Sequence, residues 1–142
     1  MRIMHKFFSL ILAIMIIVPL QVFAMPDVKE ALSNVEFTGV DDENTKINAY
    51  QGKIILLFFG YTHCPDICPT TLLDISQSLK ELGKDADKVQ AVFVSVDYKR
   101  DTPKYLKEYV DYFDKRIIGL TSDKQNIDKL NKYFKTTYAL LD

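Results

Sequence analysis

Two cysteines, Cys64 and Cys68, are the residues of this 142-residue chain best suited to carry out chemistry. They are its only cysteines, and three residues separate them. Thiolates act as nucleophiles in disulfide exchange and as ligands for soft metals. Two thiolates with few other donors favour Cu(I), whereas structural zinc sites take four ligands. The spacing alone also allows a stabilising disulfide, so copper binding, thiol–disulfide exchange and a structural bridge all remain open.

His63 directly precedes the first cysteine and is the nearest nitrogen donor in the sequence. Side chains of consecutive residues in extended chain point to opposite sides. We therefore expect His63 to be exposed, or to lie beside the ligands, rather than to be a ligand itself.

The elements on either side of the cysteines are predicted to hold them at one end of a sheet. The apolar run Ile54–Phe59 predicts a strand buried on both faces, ending at Gly60. Leu72, Ile75, Leu79 and Leu82 recur at helical spacing, and Gly83 is a natural stop for that helix. A proline is tolerated in a first helical turn, so Pro69 would make Cys68 the helix cap and leave Cys64 in the preceding loop. A thiol at a helix N-terminus is biased toward thiolate.

The rest of the chain continues the alternation of strands and helices. Val89–Val96 predicts a second strand, and Thr102-Pro103 predicts a capped helix start. Ile117–Leu120 is expected to be extended, and residues 122–125 resemble a capping box that opens a third helix with Ser122 as the cap. This order predicts an α/β fold with a parallel sheet and helices packed on its faces.

The N-terminal residues differ from the rest in composition. A short basic region precedes an apolar run of 14 residues, Phe7–Leu20. A membrane span needs ~20 residues, so residues 1–24 predict a signal peptide cut after Ala24, with an uncleaved membrane anchor as the alternative. Residues 25–142 would then form an extracytoplasmic or periplasmic domain, tethered to the inner membrane if the anchor is kept. We expect residues 26–36 to be an exposed lead-in and residues 37–47 a small hairpin.

Composition limits the classes of function. With 48% hydrophobic and 26% charged residues, the chain has the composition of one globular domain. Its net charge is −1 and it has no basic run, which argues against a nucleic-acid partner.

Three segments resemble the motifs of the Sco/SenC family of copper-binding proteins. Residues 57–70, which contain both cysteines, resemble the family's signature, and residues 94–97 with 100–103 resemble its second motif. Residues 118–121 are similar to a third motif. The resemblance implies a thioredoxin-like fold in which Cys64 and Cys68 bind copper and also cycle between dithiol and disulfide. Asp97 corresponds to an acidic residue near the site, without being a ligand.

The resemblance also implies a role in assembling the copper centre of cytochrome c oxidase. The partner would be the copper-bearing subunit of the oxidase or another copper carrier. Such a protein is a metallochaperone rather than an enzyme, although thiol–disulfide reductase activity is compatible with it. Copper is the one metal or cofactor that the resemblance implies.

One part of the family pattern has no counterpart in this sequence. The family's third copper ligand is a histidine beyond the third helix, followed by a hairpin and a last helix, and no position here matches it. We therefore expect a C-terminally truncated fold, a preference for Cu(I) over Cu(II), and an unpaired edge on the strand Ile54–Phe59. Two alternative interpretations are a periplasmic thiol–disulfide oxidoreductase and a non-functional gene fragment.

Overall fold

A parallel sheet forms the centre of the fold. The computed structural model describes residues 32–40 and 50–140, with a three-stranded sheet in the order β1-β2-β3. The strands are β1 (Ile54–Gly60), β2 (Val89–Ser95) and β3 (Ile117–Leu120); the helices are α1 (Ile67–Glu81), α2 (Pro103–Phe113) and α3 (Lys124–Phe134), with a 3₁₀ helix at Gly83–Lys88. Both strand pairs are parallel, with Gly60 opposite Ser95 at the end of β1. The predicted α/β order is confirmed.

Alternate residues of the central strand pack into two separate cores. Val92 and Val94 of β2 contact one cluster, which includes Ile127 and Leu130 of α3. Ala91 and Phe93 point to the other side. There they meet side chains of α1 and α2, namely Leu72, Ile75, Leu79, Leu106 and Val110. The sheet is therefore covered by α3 on one face and by α1 and α2 on the other.

Strand β1 is less buried than its composition predicts. Ile54 is 69% exposed and Leu56 is 41% exposed. On their face of the sheet, only Phe58 of β1 packs against the core beneath α1 and α2. Among the described residues, β1 pairs with β2 along one side alone. The prediction of a strand buried on both faces is wrong because, on the face of α1 and α2, the helices cover only the carboxyl end of β1. On the other face, Ile55, Leu57 and Phe59 pack against the core that includes α3.

Two helix starts test the predicted caps. The Thr102 side chain accepts a hydrogen bond from the Tyr105 N–H at 3.3 Å, as the Thr-Pro pair predicts. At α3, Asp123 is the cap and accepts from the Asn126 N–H at 2.7 Å. The Ser122 hydroxyl instead donates to the backbone carbonyl of Glu36. The predicted cap at Ser122 is therefore wrong by one residue, because that hydroxyl bonds to a distant segment.

The part of the chain before β1 is described only in part. The predicted signal peptide or anchor, residues 1–24, and the turn of the predicted hairpin lie outside the described residues. Leu32 and Val35 are buried, which corrects the expectation of an exposed lead-in. Thr38 forms an isolated antiparallel bridge with Thr121, just after β3. In the ranges that the structure describes, no helix has the length and apolar character needed to cross a membrane.

Candidate dithiol site

The two cysteines lie together beyond the carboxyl end of β1. Both are free thiols and both are buried, with exposed fractions of 8% for Cys64 and 4% for Cys68. Helix α1 begins at Ile67, and its N-cap Asp66 makes no side-chain capping bond. Cys68 is therefore the second residue of the helix, and the prediction that it caps the helix is wrong. Pro69 lies in the first turn, as predicted.

The helix N-terminus acts on Cys64 rather than on Cys68. The Cys68 N–H donates to Cys64 Sγ at 3.4 Å, so the Cys64 sulfur satisfies a free N–H of the first helical turn, as a capping side chain would. Burial opposes ionisation of Cys64. Hydrogen bonds from the Cys68 thiol, from the N–H groups of Cys68 and Asp66, and from the Tyr61 hydroxyl outweigh it and lower the Cys64 pKa. Cys64 is therefore the thiol that ionises first.

Cys68 is held in its neutral form. Burial is the main cause that raises its pKa to about 11, and the negative charge on Cys64 acts in the same direction. Its S–H is then a donor to the Cys64 sulfur. The pair is asymmetric: a stabilised thiolate at Cys64 is supported by a buried thiol at Cys68.

Gly60 allows α1 to approach the sheet closely at this point. A Cβ atom at Gly60 would lie 2.6 Å from Cε2 of Phe93 and 3.0 Å from Cys68 Sγ. Both distances are too short for a side chain, so the position of Cys68 depends on a glycine at the end of β1.

A cavity of about 520 Å³ opens beside the two thiols. Its wall on the thiol side combines both cysteines, apolar side chains, an imidazole and a guanidinium, contributed by Phe59, His63, Cys64, Ile67, Cys68, Val96 and Arg100. Asn131 and residues 136–140 line it as well. The two sulfurs therefore face a space that can admit an ion or part of a partner.

Two buried aspartates lie in the loop between β2 and α2. Asp97, which the family resemblance places near the site, is 1% exposed and forms an ion pair with the Arg100 guanidinium. Its carboxylate accepts hydrogen bonds from Arg100, which lines the cavity beside the thiols.

Asp101 is the polar residue that sequence reasoning missed. It is 2% exposed and accepts hydrogen bonds from the Thr62 N–H at 3.0 Å, from the Thr62 hydroxyl at 2.6 Å and from the Ser95 hydroxyl. It thereby ties the loop that carries Cys64 to the end of β2. The signal available in the sequence is an acidic residue placed directly before the Thr102 cap.

His63 lies at the rim of the cavity, as the expectation of an exposed residue requires. Its side chain is 50% exposed, and its ring is 6.1 Å from that of Tyr105. Ligand atoms of His63, Asp97 and Asp101 lie within 4.8 Å of one another. Both carboxylates already accept hydrogen bonds, and Arg100 adds a positive charge beside them. This cluster is better suited to orienting side chains than to holding a cation.

Comparison with known proteins places this arrangement in a family. The sequence model of the SCO1/SenC family matches residues 25–142. The chain belongs to the SCO1/SenC family. An SCO2-like protein of Rickettsia felis is 41% identical over 101 residues, which cover 69% of this chain and 49% of that protein. The chain thus spans about half the length of the curated relatives it matches.

Solved Sco structures share the fold. ScoI of Bradyrhizobium japonicum with copper bound is 50% identical, has a TM-score of 0.59, and aligns over 62% of this chain and 56% of its own. BsSco, a member of the Sco family of cytochrome c oxidase assembly proteins with a disulfide switch, is 26% identical with a TM-score of 0.53, over 65% and 57% of the two chains. The thioredoxin-like α/β fold predicted for this Sco chain is confirmed.

Proposed function

We propose that this Sco chain binds copper as Cu(I) between Cys64 and Cys68 and delivers it during assembly of the copper centre of cytochrome c oxidase. The observation that carries the proposal is the hydrogen bond from the Cys68 N–H to Cys64 Sγ, which stabilises a thiolate at the mouth of a cavity. A second sulfur lies beside it. Copper bound to the related ScoI supports the same cargo here.

The donor set fits Cu(I) better than harder or more highly coordinated ions. Thiolates are the ligands that Cu(I) prefers, whereas Mg²⁺ and Ca²⁺ require oxygen donors. The loss of a proton from Cys68 accompanies metal binding, because a metal ligand must be deprotonated. The raised pKa of Cys68 therefore makes copper binding release a proton near neutral pH.

The compartment and the partner follow from the same proposal. Residues 1–24 would direct the domain across the inner membrane as a cleaved signal peptide or as an anchor. The domain would then meet the copper-bearing subunit of the oxidase, or another copper carrier, on the extracytoplasmic side. The description of BsSco as a member of a family of oxidase assembly proteins supports this partner class.

Anaerobic titration of the reduced protein with Cu(I) tests the proposal directly. In the presence of a competing chelator, we expect one copper per chain and loss of tight binding in Cys64→Ser and Cys68→Ser. Ser78→Ala is the matched control, because its hydroxyl lies on the exposed side of α1. A reduced, folded wild-type protein that leaves all copper with the chelator would exclude the proposed function.

Thiol–disulfide exchange is the second candidate, and the asymmetry of the two thiols favours it. The Cys64 thiolate would attack a disulfide such as oxidised glutathione and form a mixed disulfide, releasing one glutathione thiolate. Cys68 would then displace the second glutathione and close the Cys64–Cys68 bond, with one proton leaving each cysteine. We expect half-oxidation within the range set by glutathione buffers. A disulfide that such buffers cannot reduce would exclude this activity.

A further inference from the structure

The segment that follows α3 forms part of the wall of the cavity beside the two thiols. Residues 136–140 line this cavity together with Cys64 and Cys68. They have no regular secondary structure, and they follow the helix that covers the face of the sheet opposite α1. The cavity is therefore bounded by the start of α1 and by residues 136–140, which we call the strap.

The strap folds back because α3 ends in a left-handed residue. Lys135 has a φ of 54° and, in the described part of the chain, is the one residue other than glycine with a positive φ. This conformation turns the backbone out of the helix. The Thr136 N–H then donates to the Asn131 carbonyl at 2.9 Å, and the Thr136 hydroxyl donates to the Asn131 side chain. Asn131 is buried on α3, so the strap begins at a fixed point.

Tyr138 attaches the rest of the strap to α3. Its ring packs against the core on this side of the sheet, and its hydroxyl donates to the Asp128 carboxylate at 2.8 Å. The other oxygen of that carboxylate accepts from Lys124 at 2.6 Å, which holds Asp128 in place. Thr137 and Ala139, on either side of Tyr138, are exposed. A segment with so few buried contacts opens at low cost, without unfolding of the domain.

We propose that the strap limits the size of the molecules that reach Cys64 and Cys68, and that the hydrogen bond from Tyr138 to Asp128 keeps it closed. With the strap closed, the cavity of about 520 Å³ admits an ion or a small thiol. The sulfurs are buried, so a folded partner needs more space beside them than this cavity gives. The role of the strap in copper delivery rests on the proposed function, whereas access to the thiols can be measured without copper.

Two maleimides of different size measure this access. N-ethylmaleimide and a maleimide attached to a polyethylene glycol chain react with a thiolate by the same addition. The quantity of interest is the rate of the large reagent divided by that of the small one, in the reduced, metal-free protein relative to the denatured protein. A change in the reactivity of the sulfur alters both rates equally and cancels from this ratio. We expect a ratio well below one for the wild type.

Two substitutions break the proposed bond from opposite sides. Tyr138→Phe keeps the ring in the core and should raise the ratio about fivefold, the factor that corresponds to the loss of one ordinary hydrogen bond. Asp128→Ala removes the acceptor and should have the same effect. The double variant should show no further increase, because both changes break one bond. Tyr112→Phe, the same substitution on the exposed surface of α2, is the matched control and should leave the ratio unchanged.

Backbone ¹⁵N relaxation locates the change within the molecule. In Tyr138→Phe, residues 137–140 should lose order on the picosecond-to-nanosecond timescale, whereas α3 should match the wild type. A loss of order along α3 would show that the bond stabilises the helix instead, and would overturn its assignment to the strap.

The outcomes separate this inference from the proposed function. Equal rate ratios in wild type, Tyr138→Phe and Asp128→Ala would overturn the inference and leave copper binding by the dithiol intact. A wild-type ratio near one would also overturn it, because the strap would then not obstruct the thiols. A protein that binds no copper but shows the fivefold increase would exclude the proposed function, and the control of access by the strap would stand.

Discussion

At the scale of single residues, the two thiols owe their difference to where the helix begins. Because α1 starts at Ile67, its free N–H groups point at Cys64, while Cys68 is drawn into the core beneath the helix. The resulting hydrogen bonds lower the pKa of Cys64 despite its burial, and burial raises that of Cys68 to about 11. The Cys64 sulfur is therefore ready to attack a disulfide or to bind a metal, whereas the Cys68 thiol must first lose its proton.

Alkylation of the reduced protein should follow this order. Near pH 7, limiting iodoacetamide should modify Cys64 before Cys68, because the reactive form is the thiolate. Peptide mapping by mass spectrometry at several pH values gives the apparent pKa of each site. Cys68→Ala should raise that of Cys64, because it removes the S–H donor. In denaturant both cysteines should react alike, and faster modification of Cys68 in the folded protein would contradict the assignment.

At the scale of elements, the site is a junction of three segments that meet beyond the sheet. The backbone pairing of β1 and β2 continues past their ends, where the Val96 N–H donates to the Gly60 carbonyl at 2.9 Å. The Asp101 carboxylate then ties the β2–α2 loop to the β1–α1 loop through Thr62. Helix α1 can approach this junction only because Gly60 has no side chain.

Gly60→Ala should therefore disturb both stability and the site. The new methyl group would lie 2.6 Å from the ring of Phe93, which is fully buried and cannot move away cheaply. We expect a loss of about 1–3 kcal/mol in the free energy of unfolding, measured by denaturant titration, and altered alkylation of Cys68. Phe93→Leu should recover part of the loss in the double variant. A stability within about 0.5 kcal/mol of the wild type would contradict the close packing.

The sequence predicts those elements whose signal is local. The helical spacing of Leu72, Ile75 and Leu79 and the apolar runs of β1 and β2 identify the sheet and the helix after it, and the cysteines were correctly expected at their junction. Such periodicity reports which residues avoid water within one segment. It does not report how far a neighbouring helix extends, which is why the exposure of Ile54 and Leu56 was missed.

Local sequence patterns do not predict features that depend on residues far away in the chain. Ser122 and Asp123 are both residue types that cap helices well. The Ser122 hydroxyl bonds to the Glu36 carbonyl, and Asp123 therefore caps the helix. Asp101 gives no periodic signal at all. Its burial depends on Thr62, which lies 39 residues earlier in the chain. The resemblance to the Sco family identified the thiols, and tertiary contacts were needed to reveal what orients them.

At the scale of the whole molecule, one ion pair connects the layer formed by α1 and α2. Asp114 follows the end of α2 and accepts from the Arg116 guanidinium at 2.7 and 2.9 Å. Arg116 also donates to the Leu79 carbonyl of α1 at 2.9 Å, and Ser76 of α1 donates to the carbonyl of Phe113 at 3.0 Å. The two helices that cover one face of the sheet are thus joined at their ends opposite the thiols.

This ion pair should make stability depend on acid. The hydrogen bonds from Arg116 lower the Asp114 pKa from 3.8 to about 2, although burial opposes the shift. A depressed folded-state pKa gives stability that is complete above the unfolded-state value and is lost as the pH falls through about 2. Because Arg116 is partly exposed, solvent screening limits the contribution to about 1–2 kcal/mol.

Denaturant titrations between pH 7 and pH 2 measure this contribution as a difference between variants. Asp114→Asn should be less stable than the wild type at pH 7, and the difference should shrink as the pH falls from 4 toward 2, where the wild-type carboxylate also becomes neutral. In a protein that already carries Arg116→Gln, Asp114→Asn should no longer cause a pH-dependent loss of stability. In a protein that carries Lys115→Gln, which removes a neighbouring positive charge, the pH-dependent loss should remain. A difference between wild type and Asp114→Asn that stays constant over this range would show that Asp114 acts through packing and not through its charge.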